Sequence, residues 1–100
     1  MGEKHGYGEI IYGQRNWKEH SYKGEWHMNV RSGFGQLKLR NGITYSGNFV
    51  ENQPNGTVTI SYPDGGIYKG EVQKGIVQGF GEMTGADGFG YKGVFSNGKR

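Results

Sequence analysis

Hydrophobic and polar residues alternate with a period of two along most of the chain, which is the pattern of β-strands with one covered face. No stretch shows the 3.6-residue spacing of an amphipathic helix. Short segments rich in Gly, Asn and Asp separate the alternating stretches, and such segments are typical of turns between antiparallel strands. The pattern therefore predicts successive β-hairpins, whose strands cover residues 22–27, 33–40, 45–50, 57–62, 68–73, 79–84 and 91–95.

A 23-residue unit repeats along the chain without a change of period. Its first part, Tyr-x-Gly-x followed by an aromatic residue or valine, begins at Tyr22, Tyr45, Tyr68 and Tyr91. A Gly-x-Gly sequence comes 11 residues after the first three tyrosines, with Val58 in place of the second glycine in the second repeat. A strict period over three full units predicts a repeat architecture, in which each unit buries its apolar side chains against its neighbours.

Each unit is expected to contain two turns. An Asn-Gly or Asp-Gly pair stands at 41–42, 64–65 and 87–88, and such pairs favour two-residue primed turns between antiparallel strands. A second turn is expected at Asn29, Asn52, Gly75 and Gly98, since Asn and Gly adopt a left-handed backbone with little strain. Each repeat should therefore be one hairpin.

The chain is expected to contain three complete repeats between a partial repeat with an irregular connection and an incomplete repeat. In the partial repeat, residues 6–8 match the second half of a unit, but the connection to Tyr22 is four residues longer than the equivalent connection to Tyr45. The chain stops ten residues into the last unit, which fits a piece of a longer array or a half-repeat cap. The segments are 1–21, 22–44, 45–67, 68–90 and 91–100.

A two-residue turn at Asn41-Gly42 predicts a specific register, in which Phe34 lies opposite Phe49. That register places Phe34, Tyr45 and Phe49 on one face of the sheet, and a loop of another length would change it. By equivalence, the same face should carry Phe80, Tyr91 and Phe95 in the last hairpin. The opposite face is expected to carry Leu37, Leu39, Ile60, Tyr62 and Met83, mixed with Ser46, Lys69 and Lys92.

The repeated residues resemble the MORN repeat (membrane occupation and recognition nexus). Residues 22–100 match its pattern and residues 2–12 match half a unit, with departures at Val58 and Val72. The resemblance implies an all-β fold, an elongated single-layer twisted antiparallel sheet of successive hairpins. It also implies a non-catalytic module, because similar families use such arrays as protein-binding scaffolds in cytoskeletal, ciliary and flagellar assemblies, or as lipid-associated modules.

The aromatic residues of the repeats are the candidate partner-binding residues. A single-layer sheet has no second layer to cover such a row, so we expect a groove that binds a helical or extended segment of a partner protein. The alternative is that the rings cover the glycine-rich backbone and form the core of the protein. The candidates are Tyr22, Trp26, Phe34, Tyr45, Phe49, Tyr68, Phe80, Tyr91 and Phe95.

Charge leaves a second function open. The net charge is +3, from 12 Lys and Arg against 9 Asp and Glu, and the basic excess lies in the first half of the chain. A nucleic-acid binder usually carries a denser basic stripe, so no nucleic-acid partner is predicted. Recruitment to anionic phospholipid is the alternative function, with candidate residues Lys18, Lys23, Arg31, Lys38 and Arg40.

Composition argues against catalysis. The 100 residues include 21 glycines, no cysteine and only 32% hydrophobic residues, which suits one domain without a deep core. The three histidines show no metal-ligand spacing, and no partnered nucleophile is evident. No enzyme activity, catalytic residue, metal site or cofactor is predicted. A choline-binding array of the cell wall is disfavoured, because only one of the two tryptophans, Trp26, lies on the repeat.

The setting of the protein follows from the same composition. No apolar run approaches the ~20 residues of a membrane helix, and the first residues contain no apolar signal region. We therefore expect a cytoplasmic protein, and the resemblance implies a place in a cytoskeletal, ciliary or flagellar assembly. Open edges at the two ends of the sheet are expected to allow self-association.

Overall fold

The structure is a computed structural model, and it describes residues 6–96. All of the regular structure in this range is β-sheet. The strands are β1 Gly6–Ile11, β2 Glu19–His27, β3 Val30–Leu39, β4 Thr44–Val50, β5 Gln53–Ser61, β6 Ile67–Gln73, β7 Ile76–Thr84 and β8 Gly90–Phe95.

The eight strands form one open antiparallel sheet in which each strand pairs with the strands before and after it in the sequence. The described part of the molecule measures 48 × 24 × 19 Å along its principal axes. The predicted fold class, an elongated single-layer sheet of successive hairpins, is confirmed. Strands β3, β5 and β7 begin about three residues earlier than the alternation predicted, because the turns before them are very short.

The short turns lie where the second turn of each unit was predicted. Met28 and Asn29 have φ angles of 51° and 68°, and the pairs 51–52 and 74–75 repeat this left-handed geometry. Two consecutive residues with positive φ form the type I′ turn that suits a tight hairpin. The predicted turns at Asn29, Asn52 and Gly75 are therefore confirmed, whereas Gly98 lies outside the described residues.

The Asn-Gly and Asp-Gly pairs form a different turn from the one predicted. At the first of them, Gly42 N–H donates to Leu39 O at 3.1 Å and Leu39 N–H donates to Ile43 O at 2.8 Å. This is a three-residue loop, a type I turn closed by a glycine with φ of 97°. The same pairs of hydrogen bonds recur at residues 62–66 and 85–89. The prediction of two-residue primed turns at these pairs is wrong.

The extra loop residue changes the register, so the predicted pairing is also wrong. Leu37 lies opposite Tyr45, and Phe49 lies opposite Gly33 rather than Phe34. A shift of one residue turns each side chain of a strand to the other face. Phe34 and Phe80 therefore lie on the face opposite to Tyr45, together with Ser46, Lys69 and Lys92. The other face carries the repeat tyrosines and also Leu37, Leu39, Ile60, Tyr62 and Met83.

We call the face that carries the repeat tyrosines the apolar face, and the other face the polar face. The apolar face contains two clusters of buried side chains that follow one another along the sheet. Ile43 and Tyr45 pack against both clusters and so connect them. The first cluster is Tyr22, Trp26, Leu37, Leu39 and Phe49, and the second is Val58, Ile60, Tyr68, Val72 and Phe95.

A glycine bulge bends each hairpin near its type I′ turn. Between Gly24 and Trp26 strand β2 has one residue, whereas the facing part of β3 has three, among them Gly33 with φ of 99°. Gly56 and Gly79 have similar φ angles at the equivalent irregularities of the next two hairpins. A residue other than glycine would be strained in this left-handed conformation.

Beyond the bulge, the second and third type I′ turns contact the preceding repeat. Asn52 N–H donates to Arg31 O at 3.0 Å, and Gly75 N–H donates to Pro54 O at 2.9 Å. Residues 52 and 75, like 31 and 54, are 23 residues apart, so the two bonds are repeat equivalents. These two turns therefore connect consecutive repeats.

Candidate interaction surfaces

Tyr22 and Tyr68 lie flat on the sheet because glycines leave room for their rings. A Cβ atom at Gly35 would lie 2.6 Å from Tyr22 Cε1, and one at Gly81 would lie 2.6 Å from Tyr68 Cζ, both too close for a side chain. The hydroxyls reach past the glycines to the backbone. Tyr22 Oη donates to Glu25 O at 2.9 Å and Tyr68 Oη donates to Glu71 O at 2.7 Å.

The rings also pack against one another edge to face. The Tyr22 ring centroid is 5.1 Å from that of Trp26 and 5.2 Å from that of Phe49, with interplanar angles above 80°. Phe95 makes the same kind of contact with Tyr68 and Tyr91. This geometry favours aromatic pairs beyond the area that they bury. Five of the nine predicted partner-binding rings are therefore part of the core of the sheet: Tyr22, Trp26, Phe49, Tyr68 and Phe95.

Burial changes the acidity of these hydroxyls. Burial raises the pKa of Tyr22 to about 12, an effect that Arg31 opposes and Glu25 increases. Burial likewise raises the pKa of Tyr68, with Glu71 adding to the shift. Because the pKa is higher in the folded state, the protonated tyrosine stabilises the fold. This stabilisation is fully present at pH values below the ordinary tyrosine pKa of 10.0, and it is lost as pH rises toward the folded-state pKa.

We therefore expect the free energy of unfolding to fall between about pH 10 and 12, because the unfolded chain loses its phenolic protons first. Denaturant titrations across this range measure the effect. Tyr22→Phe, which has no hydroxyl at that site, should show a shallower decline than the wild type. An unchanged slope in Tyr22→Phe would show that Tyr22 does not contribute.

Tyr45 differs from Tyr22 and Tyr68 because of Val58. Val58 occupies the position that Gly35 and Gly81 hold in the neighbouring repeats, and a Cβ atom at Gly47 would lie 2.9 Å from its Cγ1. The valine therefore fills the space over Gly47 that a tyrosine ring uses elsewhere. Tyr45 remains half-buried, with burial raising the pKa of its hydroxyl, and it packs against both clusters.

Tyr45 lies in a groove at the centre of the apolar face, which we call the central groove. Its volume is about 460 Å³. Its floor is apolar, formed by Leu37, Leu39 and Tyr45 together with Pro54. Exposed charged side chains stand at its rim, on the connection before β2 and on two type I′ turns; they are Lys18, Glu51 and Lys74.

Arg31 forms one wall of the central groove and is a buried cation. Its Nη2 atom lies 2.9 Å from Glu19 Oε2 and donates to Asn52 O at 2.6 Å, and its Nη1 donates to Tyr12 Oη at 3.0 Å. Its guanidinium carbon lies 5.6 Å from the centre of the Tyr22 ring. Arginine is suited to this role because its planar group donates in several directions at once.

Glu19 is held ionised by its neighbours. Burial raises the pKa of its carboxyl, but hydrogen bonds from Arg31 and Asn16 and the charges of Arg31 and Lys18 outweigh that effect, so the pKa lies below the ordinary 4.5. Such a carboxylate stabilises the fold above its unfolded-state pKa, and that stabilisation is lost as pH falls through the folded value.

The long connection before β2 is ordered by Asn16 and Arg40. Asn16 Oδ1 accepts from Glu19 N–H at 2.7 Å and from Lys18 N–H at 3.2 Å. Arg40 donates to the backbone oxygens of Asn16, Tyr12 and Gly13 at 2.7–3.0 Å. The segment, with its four additional residues, thus holds the Glu19 carboxylate within ion-pair distance of Arg31.

The five candidate lipid-binding residues do not form one patch, which corrects the sequence-based expectation. Arg31 is buried on the apolar face, and Arg40 is bonded to the backbone of the connection. Lys23 and Lys38 are exposed on the polar face of neighbouring strands, whereas Lys18 lies at the central groove. The register and the buried ion pair separate residues that are close in sequence.

Phe34 and Phe80, also candidates for partner binding, are 61% and 55% exposed on the polar face. The structure therefore does not join them to the rings of the apolar face. The backbone N–H of Phe80 donates a hydrogen bond to the Glu71 carboxylate at 3.1 Å. This bond satisfies a donor at the bulge, where regular strand pairing is interrupted.

Sequence reasoning missed Tyr12, Glu19 and Asn52, the partners of Arg31. One signal was available. The positions equivalent to Arg31 in the next two repeats hold the apolar residues Pro54 and Val77, so the first repeat has a charged residue where the others have an apolar one. That repeat also follows a connection that is four residues longer than the equivalent connections. A buried cation at such a position requires partners that the regular repeat does not supply.

Within residues 6–96, no helix has the length and hydrophobicity of a membrane span. In the same range, no three His, Asp or Glu side chains come together in a way that could hold a metal ion.

The fold and these surfaces define a class of protein, the open repeat sheet whose side chains form a continuous apolar face. The family model of the MORN repeat matches residues 1–16, 22–44, 45–67 and 68–89, and the chain belongs to this family. The resemblance drawn from the sequence is thereby confirmed. MORN repeats are non-enzymatic modules that generally interact with proteins or membranes. No curated protein matches the chain.

Proposed function

We propose that this protein is a non-catalytic scaffold that binds a helical or extended segment of a partner protein in the central groove. The observation that carries the proposal is the combination of an apolar floor, which includes the half-buried Tyr45, with an exposed charged rim. Interface centres are typically apolar and contain aromatic side chains, and their rims are polar.

The groove favours a particular kind of segment. Its volume of about 460 Å³ suits one or two apolar side chains of a peptide. Lys18 and Lys74 at the rim favour an acidic residue beside the apolar one, since opposite charges orient a partner and raise its rate of association. Glu51 at the same rim would favour a basic residue in the partner.

The buried rings contribute to this function indirectly. Tyr22, Trp26, Phe49, Tyr68 and Phe95 are buried in the two clusters, so their replacement affects binding through the stability of the sheet. Residues that line the groove while remaining exposed give a cleaner test. Ile76 lines the groove at the first residue of β7 and is 48% exposed, and Ile67 at the first residue of β6 does not line it and is 39% exposed, which makes them a matched pair.

The experiment is selection of peptides from a random display library against the folded chain. We expect enriched peptides to contain an apolar residue beside an acidic one. Their affinity, measured by fluorescence anisotropy, should fall about tenfold in Ile76→Ala and in Lys74→Glu. The controls Ile67→Ala and Lys69→Glu make the same changes outside the groove and should leave the affinity unchanged. Failure to enrich any peptide, or equal losses in the test and control variants, contradicts the proposal.

Recruitment to anionic phospholipid has less support, because two of its five candidate cations are engaged within the protein. Lys23 and Lys38 remain as exposed neighbours on the polar face. Co-sedimentation with phosphoinositide vesicles across a salt series tests this alternative. Binding that weakens with salt and in Lys23→Glu would support it.

A further inference from the structure

The hydroxyl of Tyr45 differs from those of Tyr22 and Tyr68 in its hydrogen bonding. Tyr22 Oη donates to Glu25 O at 2.9 Å, and Tyr68 Oη makes the same bond to the carbonyl three residues further along the chain. For Tyr45 the equivalent carbonyl is that of Asn48. Within the part of the chain that the structure describes, the Tyr45 hydroxyl makes no hydrogen bond to that carbonyl or to any other group.

Val58 accounts for the missing bond. A Cβ atom at Gly24 would lie 2.6 Å from the Tyr22 hydroxyl, so that hydroxyl lies directly over the glycine two residues further along. At the equivalent Gly47, the nearest side-chain atom is instead Val58 Cγ1, at 2.9 Å. Because the valine occupies this space, the Tyr45 ring points elsewhere and its hydroxyl is left without a partner.

The Tyr45 hydroxyl is accessible to solvent although the side chain is half-buried. Among the described residues, no side-chain nitrogen or oxygen atom is both fully buried and without a hydrogen-bond partner. The unpartnered hydroxyl therefore reaches solvent, and Tyr45 belongs to the floor of the central groove. Burial raises the pKa of Tyr45, so the hydroxyl remains protonated at neutral pH and can donate a hydrogen bond.

We propose that the Tyr45 hydroxyl recognises a carboxylate of the segment bound in the central groove, an aspartate or glutamate side chain that accepts its hydrogen bond. The inference rests on the proposed function, because it names the chemical group that the same groove selects. Hydrogen bonds to an ionised acceptor are about twice as strong as those between neutral groups. On an apolar floor, the exclusion of water by the bound segment strengthens such a bond further.

The charges around the groove favour an anionic acceptor over a neutral one. The groove is lined by three cations and two carboxylates. Arg31 forms an ion pair with Glu19, and its three nitrogens already donate to protein atoms. Lys18 and Lys74 then stand against Glu51 at the exposed rim, which leaves a net positive charge. This charge attracts an anion to the groove, and the tyrosine hydroxyl fixes its position.

The first test compares two tyrosines in the binding of a peptide enriched from the display library. Tyr45→Phe keeps the ring and removes the hydroxyl, so we expect the affinity to fall about tenfold. The midpoint of urea denaturation should stay unchanged, because this hydroxyl has no partner in the free protein. Tyr62→Phe is the matched control and should leave the affinity unchanged. Tyr62 is also half-buried with an unpartnered hydroxyl in the described range, but it does not line the groove.

A double-mutant cycle then identifies the group that accepts the bond. Each acidic residue of the peptide is replaced in turn by its amide, aspartate by asparagine and glutamate by glutamine. For the residue that contacts Tyr45, we expect this replacement to weaken binding to the wild type much more than binding to Tyr45→Phe, which has already lost the bond. The difference should persist at high salt, where the attraction to Lys18 and Lys74 is screened.

The possible outcomes separate this proposal from the proposed function. Enriched peptides without an acidic residue, an unchanged affinity in Tyr45→Phe, an equal loss in Tyr62→Phe, or additive effects in the cycle overturn the role of the hydroxyl. If Ile76→Ala still weakens binding in those cases, the groove remains the binding site. Failure to enrich any peptide overturns both proposals.

Discussion

Replacement of Tyr22 by alanine is expected to lower the free energy of unfolding by about 4 kcal/mol. Tyr22 is 0% exposed, and its ring packs edge to face against Trp26 and Phe49. A single-layer sheet has no second layer from which side chains could refill the space. Urea denaturation followed by tryptophan fluorescence measures the loss, which is a large part of the stability of a domain of this size.

Two variants separate the contributions. Tyr22→Phe keeps the ring and loses only the hydrogen bond to Glu25 O, so we expect a cost of about 1 kcal/mol. Tyr45→Ala removes a tyrosine at the same position of the repeat, but from a half-buried site, so it should cost about 2 kcal/mol. Equal costs of Tyr22→Ala and Tyr45→Ala would contradict the argument that Val58 alters the second repeat.

Removal of the buried cation is the second large effect. Arg31→Ala should destabilise the fold by about 3 kcal/mol, because Glu19 and the carbonyl of Asn52 lose their partner in a largely buried site. Thermal and urea denaturation measure this loss. The double variant Arg31→Val with Glu19→Gln should regain much of it, since the equivalent positions hold Pro54 and Val77 without a cation.

The same variant changes the response to acid. In the wild type, the stabilisation from ionised Glu19 is present above its unfolded-state pKa and is lost as pH falls through its lower folded-state value. Arg31→Ala removes the main cause of that lowering, so its stability should decline less between neutral and acidic pH. A parallel pH profile in both proteins would show that Arg31 does not hold the carboxylate ionised.

The repeat and its sheet could be predicted because each glycine and aromatic position recurs with the same spacing. The register could not be predicted from Asn41-Gly42 alone, since Asn-Gly suits both a type I′ turn and the type I turn that the structure contains. One residue did distinguish them. Pro63 precedes Asp64-Gly65, and proline favours the second position of a type I turn, which requires a three-residue loop here.

The central groove could be predicted only in part. The sequence identifies Tyr45 as a repeat tyrosine and Val58 as a departure, but their joint effect on ring orientation depends on the register. The partners of Arg31 lie 12 and 21 residues away in the sequence, at Glu19 and Asn52, and are brought together by the bulge and by the long connection. Such contacts follow from the folded backbone rather than from a local pattern.

The strictly sequential order of the strands has a consequence for how the protein folds. Every strand pair in the described range joins neighbours in the sequence, so the entropy lost on closing each loop is small and the contact order is low. A single hairpin, such as β2 with β3 and the rings around Tyr22, can therefore nucleate the structure, and further strands add to it one at a time. Cooperativity then resembles that of a one-dimensional lattice with nearest-neighbour coupling. Amide hydrogens in the middle of the sheet should exchange with solvent most slowly, and those of β1 and β8 should exchange first.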